Sequence, residues 1–194
     1  MNLMHLVPGT GRLFLIGALV STGLGLGAAV PAAAADRSAT TLSRHQALFQ
    51  AKRSLCVPDI ALTSLANGRF VSAELGYTGA DEGMLRARAG QKGTWERFTI
   101  CFDGVNSTIR SQANGRYVSA ELSYGGADNG MLRARATVVG SWERFSFESC
   151  GDRCTVIRST ANGRLVSAEL RYAGADYAML RARATAVGEW ERFQ

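Results

Sequence analysis

Histidine is scarce in this chain of 194 residues: only two occur, His5 and His45, and both precede the repeated part of the sequence. A serine or cysteine nucleophile needs a base beside it, so a Ser–His–Asp triad or a Cys–His pair cannot be built within the repeats. A glycine-rich phosphate loop of the required form and a cluster with metal-ligand spacing are also missing. We therefore predict a protein that is not an enzyme, with no catalytic residue, cofactor or metal site.

Long runs of a single charge sign or of apolar residues are also rare. The formal net charge is +6, but the charges alternate in sign, so a nucleic-acid partner is not predicted. The one long apolar stretch is 13–30, followed by Pro31 and four alanines. This pattern is typical of a signal peptide and predicts removal of residues 1–35, secretion, and no membrane contact afterwards. A retained membrane anchor is the alternative, since residues 13–35 could span a bilayer.

Three copies of one 33-residue block fill most of the remaining chain: 66–98, 113–145 and 161–193. At 24 of the 33 positions all three copies have the same residue, and no gap is needed to align them. Such a period indicates repeats that bury their apolar faces together. The predicted domains are a mobile basic leader at 36–55 and a folded domain at 56–194, with repeats at about 56–102, 103–150 and 151–194.

Each repeat predicts four β-strands. In the first copy they cover 59–65, 69–75 and 84–89, and the fourth begins at Trp95. Alternating apolar and polar residues indicate the strands, and Asn67-Gly68 indicates a hairpin between the first two. A linear array of three units would expose both ends, whereas a six-stranded barrel closed by three hairpins leaves few free edges. The closed arrangement is the fold that we predict.

The motifs ANGRYVSAEL, MLRARA and G-x-W-E-R-F resemble the fascin-like β-trefoil family, particularly its small secreted single-domain bacterial members. The likeness covers residues 56–194. It implies an all-β protein, a β-trefoil of three four-stranded repeats with pseudo-threefold symmetry. The glutamine-x-tryptophan motif of ricin-like lectin trefoils is absent.

Large apolar residues at the same place in every repeat are the predicted core. They are Trp95, Trp142 and Trp190, together with Leu85, Leu132 and Leu180. Sugar-stacking platforms are the alternative for the tryptophans. Among the charged residues, Arg86, Arg88 and Arg97 recur with Glu74 and Glu96, which predicts exposed cross-strand ion pairs rather than a basic ligand surface.

The four cysteines, Cys56, Cys101, Cys150 and Cys154, predict disulfide bonds in an exported protein. If the first and last strands of a repeat are neighbours, Cys56 and Cys101 lie at the same end of an antiparallel pair. We therefore predict the bonds Cys56–Cys101 and Cys150–Cys154. A metal or redox site at Cys150 and Cys154 is less favoured, because no second ligand pair accompanies them.

The loop between the second and third strands carries a tyrosine and an aspartate in every repeat. An aromatic ring beside a carboxylate is the minimal sugar site, and the predicted ligand residues are Tyr77, Asp81, Tyr124, Asp128, Tyr172 and Asp176. A turn motif with the tyrosine covering the barrel rim is the alternative. The sequence thus predicts a monomeric, lectin-like protein that binds a polysaccharide or glycan at up to three weak sites. A protein-binding module, with an actin-like or cell-surface protein partner, is the second hypothesis.

Overall fold

The computed structural model describes residues 55–194. The predicted signal peptide and almost all of the predicted basic leader lie outside these residues, so both stay predictions. Within residues 55–194, no helix has the length and apolar character needed to cross a bilayer.

Regular structure in the described part consists of twelve β-strands and three 3-10 helices. The strands are β1 (Leu55–Ile60), β2 (Thr63–Ser64), β3 (Arg69–Glu74), β4 (Met84–Ala89), β5 (Phe98–Phe102), β6 (Ser107–Ser111), β7 (Tyr117–Glu121), β8 (Met131–Ala136), β9 (Phe145–Gly151), β10 (Cys154–Ser159), β11 (Leu165–Glu169) and β12 (Met179–Ala184). The 3-10 helices are Gly79–Asp81, Gly126–Asp128 and Gly174–Asp176.

Six strand positions form the barrel. β1 pairs with β5, β5 with β6, β6 with β9, and β9 with β10, all antiparallel. Phe193 closes the ring through single bridges to Thr155 in β10 and Ser64 in β2. The fourth strand of the third repeat is thus reduced to these bridges, and the backbone hydrogen bonds between Thr63 and Gln194 add to the closure. The total is nevertheless twelve strands, because the first strand of repeat 1 is divided into β1 and β2.

Three hairpins cover one end of the barrel: β3–β4, β7–β8 and β11–β12. Single bridges join each hairpin to the next around a ring, and they pair Met84 with Arg133, Met131 with Arg181, and Met179 with Arg86. A closed six-stranded barrel with a three-hairpin cap and this repetition is a β-trefoil, so the predicted all-β fold is confirmed.

The core is built from phenylalanine and leucine rather than tryptophan. Phe98, Phe145 and Phe193 are fully buried at equivalent positions. The predicted core leucines, Leu85, Leu132 and Leu180, are confirmed, at 0–1% exposure. The prediction for the tryptophans is wrong: Trp95 is 38% exposed, and Trp142 and Trp190 are only half-buried.

The position of the fourth strand explains this error. β5 begins at Phe98, three residues after the predicted start at Trp95, which lies in a turn. Strand alternation therefore does not govern Trp95. Glu96 is 7% exposed because its carboxylate turns inward to accept a hydrogen bond from the Gly93 amide at 2.7 Å, and the indole stays at the surface.

The Asn-Gly pairs lie, as predicted, in the hairpin connections between the first two strands of each repeat. The chain between β2 and β3 is a four-residue connection, closed by the bond from the Gly68 amide to the Ser64 carbonyl at 2.9 Å. Gly68 has a positive φ of 67°, which favours glycine. The Asn67 side chain donates to the Ala87 carbonyl at 2.8 Å and thereby ties this turn to β4. Asn114 and Asn162 make the same bond to Ala134 and Ala182.

Both predicted disulfides form. Cys56 and Cys101 are directly opposite each other in the β1–β5 pair, and Cys150 and Cys154 close the turn between β9 and β10. The first bond encloses a sequence separation of 45 residues and the second only 4. The first should therefore restrict the unfolded chain more strongly.

Candidate functional site

The predicted ligand residues lie in the loops that connect β3 to β4, β7 to β8 and β11 to β12. In repeat 1, Tyr77 is half-buried and packs against a cluster of methionines. Met84, Met131 and Met179 form a fully buried cluster, and Tyr124 and Tyr172 pack on it with Tyr77. The tyrosines therefore cover the capped end of the barrel, as in the turn alternative, with part of each ring left accessible.

Each tyrosine hydroxyl is fixed by an arginine that was predicted to be exposed. Arg86 is 3% exposed, and its Nη1 donates to the Tyr77 hydroxyl at 2.8 Å. Its Nε and Nη2 donate to the Tyr177 and Gly174 carbonyls, at 2.8 and 3.1 Å. The expectation of a surface ion pair is thus wrong for Arg86, because backbone carbonyls and a phenol take its donors.

The same arrangement repeats around the cap and always crosses from one repeat to another. Arg133 of repeat 2 binds the Tyr124 hydroxyl and the Gly79 and Glu82 carbonyls of repeat 1. Arg181 of repeat 3 binds the Tyr172 hydroxyl and the Gly126 and Asn129 carbonyls of repeat 2. We call these three residues, Arg86, Arg133 and Arg181, the cap arginines. Each loop is therefore held by the arginine of its neighbour.

The three loop aspartates are less constrained than the tyrosines. Asp81, Asp128 and Asp176 end the 3-10 helices and are half-buried. Within residues 55–194, no side-chain hydrogen bond or ion pair involves any of these three carboxylates. A carboxylate in this situation can accept hydrogen bonds from a ligand.

Arg88 pairs with Glu74 across the strands, as the sequence predicts, with a buried carboxylate and an arginine side chain that is 44% exposed. Arg97 instead pairs with Asp59. Arg88 donates to both oxygens of Glu74, a residue that is 2% exposed. The hydrogen bond with Glu74 raises the pKa of Arg88 above its ordinary value. Glu121 and Glu169 hold Arg135 and Arg183 in the same way. These buried carboxylates are occupied by arginine and are not available to a ligand.

The tight turn that precedes β5 places the tryptophan at the surface. Glu96 accepts a hydrogen bond from the Gly93 amide at 2.7 Å and closes the turn around Trp95. Identical 2.7 Å bonds join Gly140 to Glu143 and Gly188 to Glu191. The backbone carbonyl of each tryptophan accepts a hydrogen bond from an amide in the cap hairpin of the same repeat. In repeat 1 the Ala73 amide donates to the Trp95 carbonyl at 3.0 Å. The indoles are thus held in fixed positions beside the hairpins.

The surroundings of the three indoles differ at one position. A methyl group added to Gly76, the residue before Tyr77, would lie 3.6 Å from Cη2 of Trp95. The equivalent residue in repeat 3 is Arg171, whose guanidinium lies 5.4 Å from the Trp190 ring centre. Trp95 therefore has a glycine next to its ring, whereas Trp190 is covered by a cation.

Within residues 55–194, no group of three or more His, Cys, Asp or Glu side chains could hold a metal ion. Hydrogen bonds from Arg97 and Arg158 lower the pKa values of Asp59 and Glu148.

The fold is shared with proteins of diverse kinds. The designed threefold-symmetric protein ThreeFoil has a TM-score of 0.59 at 13% identity, over 69% of this chain and 94% of ThreeFoil. An exo-β-1,3-galactanase from Clostridium thermocellum has a TM-score of 0.58 at 15% identity, over 71% of this chain and 30% of the galactanase. A salivary protein of the cysteine- and tryptophan-rich family from Culex quiquefasciatus has a TM-score of 0.56 at 15% identity, over 73% of this chain and 92% of that protein.

At these identities the likeness concerns the fold alone, and it assigns the chain to the β-trefoil proteins. No protein-family model matches the sequence, and no curated protein matches it either.

Two features of the site were missed by the sequence interpretation. The burial of the cap arginines cannot be recognised from the sequence of one repeat, because the carbonyls that accept their hydrogen bonds lie in another repeat. The exposure of the tryptophans does have a sequence signal, because each stands between a glycine and a glutamate that close a turn. Phe98, which is repeated equally, is the alternative apolar residue for the core.

Proposed function

We propose that the protein is a secreted, non-catalytic carbohydrate-binding β-trefoil that acts as a monomer. The observation that carries this proposal is the surface position of an indole beside the β3–β4 loop, repeated in all three repeats. An indole face packs well against the C–H face of a pyranose ring, and a nearby carboxylate can accept hydroxyl hydrogen bonds. Three such surfaces on one chain would raise the avidity for a polysaccharide above the affinity of a single site.

The site that we propose differs from the sequence prediction in its aromatic platform. Trp95, Trp142 and Trp190 provide the stacking surface, while Tyr77 and its two copies mainly support the loop. Asp81, Asp128 and Asp176 keep their predicted role as acceptors of sugar hydroxyl groups. The exo-β-1,3-galactanase, which acts on a polysaccharide, shares the fold over 30% of its chain, and this supports the choice of carbohydrate as ligand.

The test uses binding to insoluble polysaccharides, with galactan among the probes. We expect the triple variant Trp95→Ala, Trp142→Ala, Trp190→Ala to lose binding, and the triple variant Asp81→Asn, Asp128→Asn, Asp176→Asn to weaken it. Val105→Ala is the matched control, because Val105 is 85% exposed and lies outside the proposed surface. Binding that persists in the tryptophan variant, with the fold verified by circular dichroism, would contradict the proposal.

The three surfaces are not expected to be equivalent. Since Arg171 covers Trp190, the third surface should bind a sugar ring more weakly than the first. We expect Arg171→Gly to increase the retention of the protein on polysaccharide, and Gly76→Arg to decrease it. Unchanged retention in both variants would argue against indole stacking.

Export is part of the proposal. Two disulfides among residues 55–194 fit an oxidising compartment, and the fascin-like resemblance implies a secreted bacterial protein. The mass of the exported protein should correspond to a chain that begins at Asp36, within a residue or two. An intact amino terminus on the exported protein would contradict the predicted signal peptide.

Protein recognition is the second candidate function. It is favoured by Phe102, which is 39% exposed and meets Phe147 edge-on at 6.1 Å beside the exposed Val105. Exposed apolar groups that lie together often mark a contact with another protein. Cosedimentation with actin filaments, compared between the wild type and Phe102→Asp, separates this function from carbohydrate binding.

A further inference from the structure

A groove of about 410 Å³ lies on the barrel wall where repeats 1 and 2 meet. Its lining includes Thr99 of β5, Thr108 and Arg110 of β6, Tyr117 of β7, and Arg144 just before β9. None of the three tryptophans lines this groove, so it is separate from the surfaces proposed above. Two arginines, a phenol ring and two hydroxyl groups thus face one concave space.

Arg110 is held in a defined orientation without a carboxylate partner. Its Nε donates to the Gly115 carbonyl at 2.7 Å, and its guanidinium lies 5.6 Å from the centre of the Tyr117 ring. Within residues 55–194, no acidic side chain forms an ion pair with Arg110. The two Nη groups therefore keep donors that an external acceptor can use.

The equivalent arginine of repeat 3 is neutralised. Arg158 of β10 donates to Glu148 through Nε at 2.7 Å and through Nη2 at 3.0 Å. The residue of β5 that corresponds to Glu148 is Cys101, which is bound in a disulfide. The disulfide thus occupies the place from which a carboxylate would compensate Arg110. This difference is specific to the groove between repeats 1 and 2.

The remaining charges of the groove largely cancel each other. Arg144 forms an ion pair with Asp103 at 3.0 Å. Asp103 also accepts hydrogen bonds from the Asn106 and Val105 amides, and these bonds, with the help of Arg144, lower its pKa and keep it ionised at neutral pH. The uncompensated charge in the groove is therefore the single positive charge of Arg110.

We propose that this groove binds the anionic group of an acidic saccharide, a uronate carboxylate or a sulfate ester. The two Nη groups of Arg110 would donate to the anion in a bidentate manner, the geometry for which a guanidinium is best suited. The Thr99 and Thr108 hydroxyl groups are placed to bond neighbouring sugar hydroxyls. Because the attraction between Arg110 and the anion is partly electrostatic, the affinity should fall as salt is added.

The test is isothermal titration calorimetry of the full exported chain with three probes of equal length. They are an oligogalacturonate, a sulfated galactan oligomer and an uncharged galactan oligomer. We expect at least one of the acidic probes to bind more tightly than the uncharged one. Arg110→Gln should reduce that affinity by about tenfold or more, as expected for loss of a charge-assisted hydrogen-bond pair.

The matched control is Arg158→Gln, which removes the equivalent arginine from the repeat where it is neutralised. We expect this variant to keep the wild-type affinity. Thr99→Glu is a second loss variant, because Thr99 lies opposite Arg110 in the β5–β6 pair and would place a carboxylate there. Equal affinity for charged and uncharged probes, or equal losses in Arg110→Gln and Arg158→Gln, would overturn the proposal. Binding of uncharged polysaccharide should survive in Arg110→Gln, so this proposal and the tryptophan surfaces can fail independently.

Discussion

Trp95 and Phe98 lie three residues apart in the same repeated motif, and the structure gives them opposite roles. Phe98 is fully buried in the barrel, whereas Trp95 is 38% exposed in the preceding turn. Residue type alone would favour burial of both. The local turn, closed by Glu96 and Gly93, decides which of them reaches the core.

The two residues should therefore differ in their contribution to stability. Phe98→Ala should lower the free energy of unfolding by about 3–5 kcal/mol, the usual loss for a buried phenylalanine. Trp95→Ala should lower it by about 1–2 kcal/mol, because much of the indole is already in contact with water. Urea unfolding of both variants measures the difference, and equal losses would place Trp95 in the core after all.

Ala178 is a second residue whose environment is unusual. It has a positive φ of 61°, while the equivalent residues are Gly83 and Gly130, with φ of 76° and 80°. A methyl group at Gly83 would lie 2.8 Å from the Ala134 carbonyl oxygen. Both the backbone conformation and the contact favour glycine at this position.

We therefore expect Ala178→Gly to stabilise the protein by up to about 1 kcal/mol, the strain of a left-handed residue less the entropy of glycine. Gly83→Ala should destabilise it by about 1–2 kcal/mol. Thermal unfolding of the two variants is the measurement. A lower midpoint for Ala178→Gly would mean that the alanine is not strained.

At the scale of elements, the ion pair between Glu148 of β9 and Arg158 of β10 predicts how the stability of the fold responds to acid. The hydrogen bond from Arg158 lowers the pKa of Glu148 in the folded state. A lowered pKa stabilises the fold above the unfolded value of about 4.3, and the contribution disappears as the pH falls through the folded value. Glu148→Gln should therefore lose less stability than the wild type between neutral pH and about pH 3. Thermal midpoints across this range measure it, with Asp152→Asn as the control.

The loops of the cap predict an effect that crosses between repeats. Arg133→Met should destabilise the fold by about 3 kcal/mol, since it leaves the Gly79 and Glu82 carbonyls and the Tyr124 hydroxyl without their donor. The loop that loses protection should be 76–83 of repeat 1 rather than the variant's own loop at 123–130. Hydrogen exchange followed by mass spectrometry tests this, and faster exchange confined to 123–130 would contradict it. Tyr124→Phe, which removes one bond only, is the milder comparison.

The sequence predicted the elements better than their partners. Strands β3 and β4, the core leucines and both disulfides follow from alternation, threefold repetition and cysteine position. The boundary of β5 was misplaced because the alternating pattern continues through the turn closed by Gly93 and Glu96 and does not show where the strand begins. The cap arginines were misjudged because a charged side chain is buried only when it is paired, and their carbonyl partners lie 51–91 residues away in sequence. The role proposed for Arg110 has no signal in its own repeat, because its missing partner is recognised only by comparison with the Arg158–Glu148 ion pair.

At the scale of the whole molecule, the two disulfides restrict chains of very different length. The chain-entropy relation gives about 4 kcal/mol for a separation of 45 residues and about 2 kcal/mol for a separation of 4. We expect Cys56→Ser with Cys101→Ser to destabilise the fold about twice as much as Cys150→Ser with Cys154→Ser. Chemical denaturation of both double variants measures the ratio. A larger loss from the Cys150–Cys154 pair would show that the short bond holds the β9–β10 turn rather than restricting the unfolded chain.

The ring of cap arginines bears on how a single repeat could exist alone. One repeat contains both an arginine donor and a loop whose carbonyls accept from such a donor, but the arginine reaches only the tyrosine hydroxyl of its own loop. Three separate copies of a repeat could satisfy every one of these bonds only by assembling as a closed trimer, whereas a lone copy or an open pair would leave donors and carbonyls unmet. Joining the copies in one chain removes the dependence of that closure on concentration.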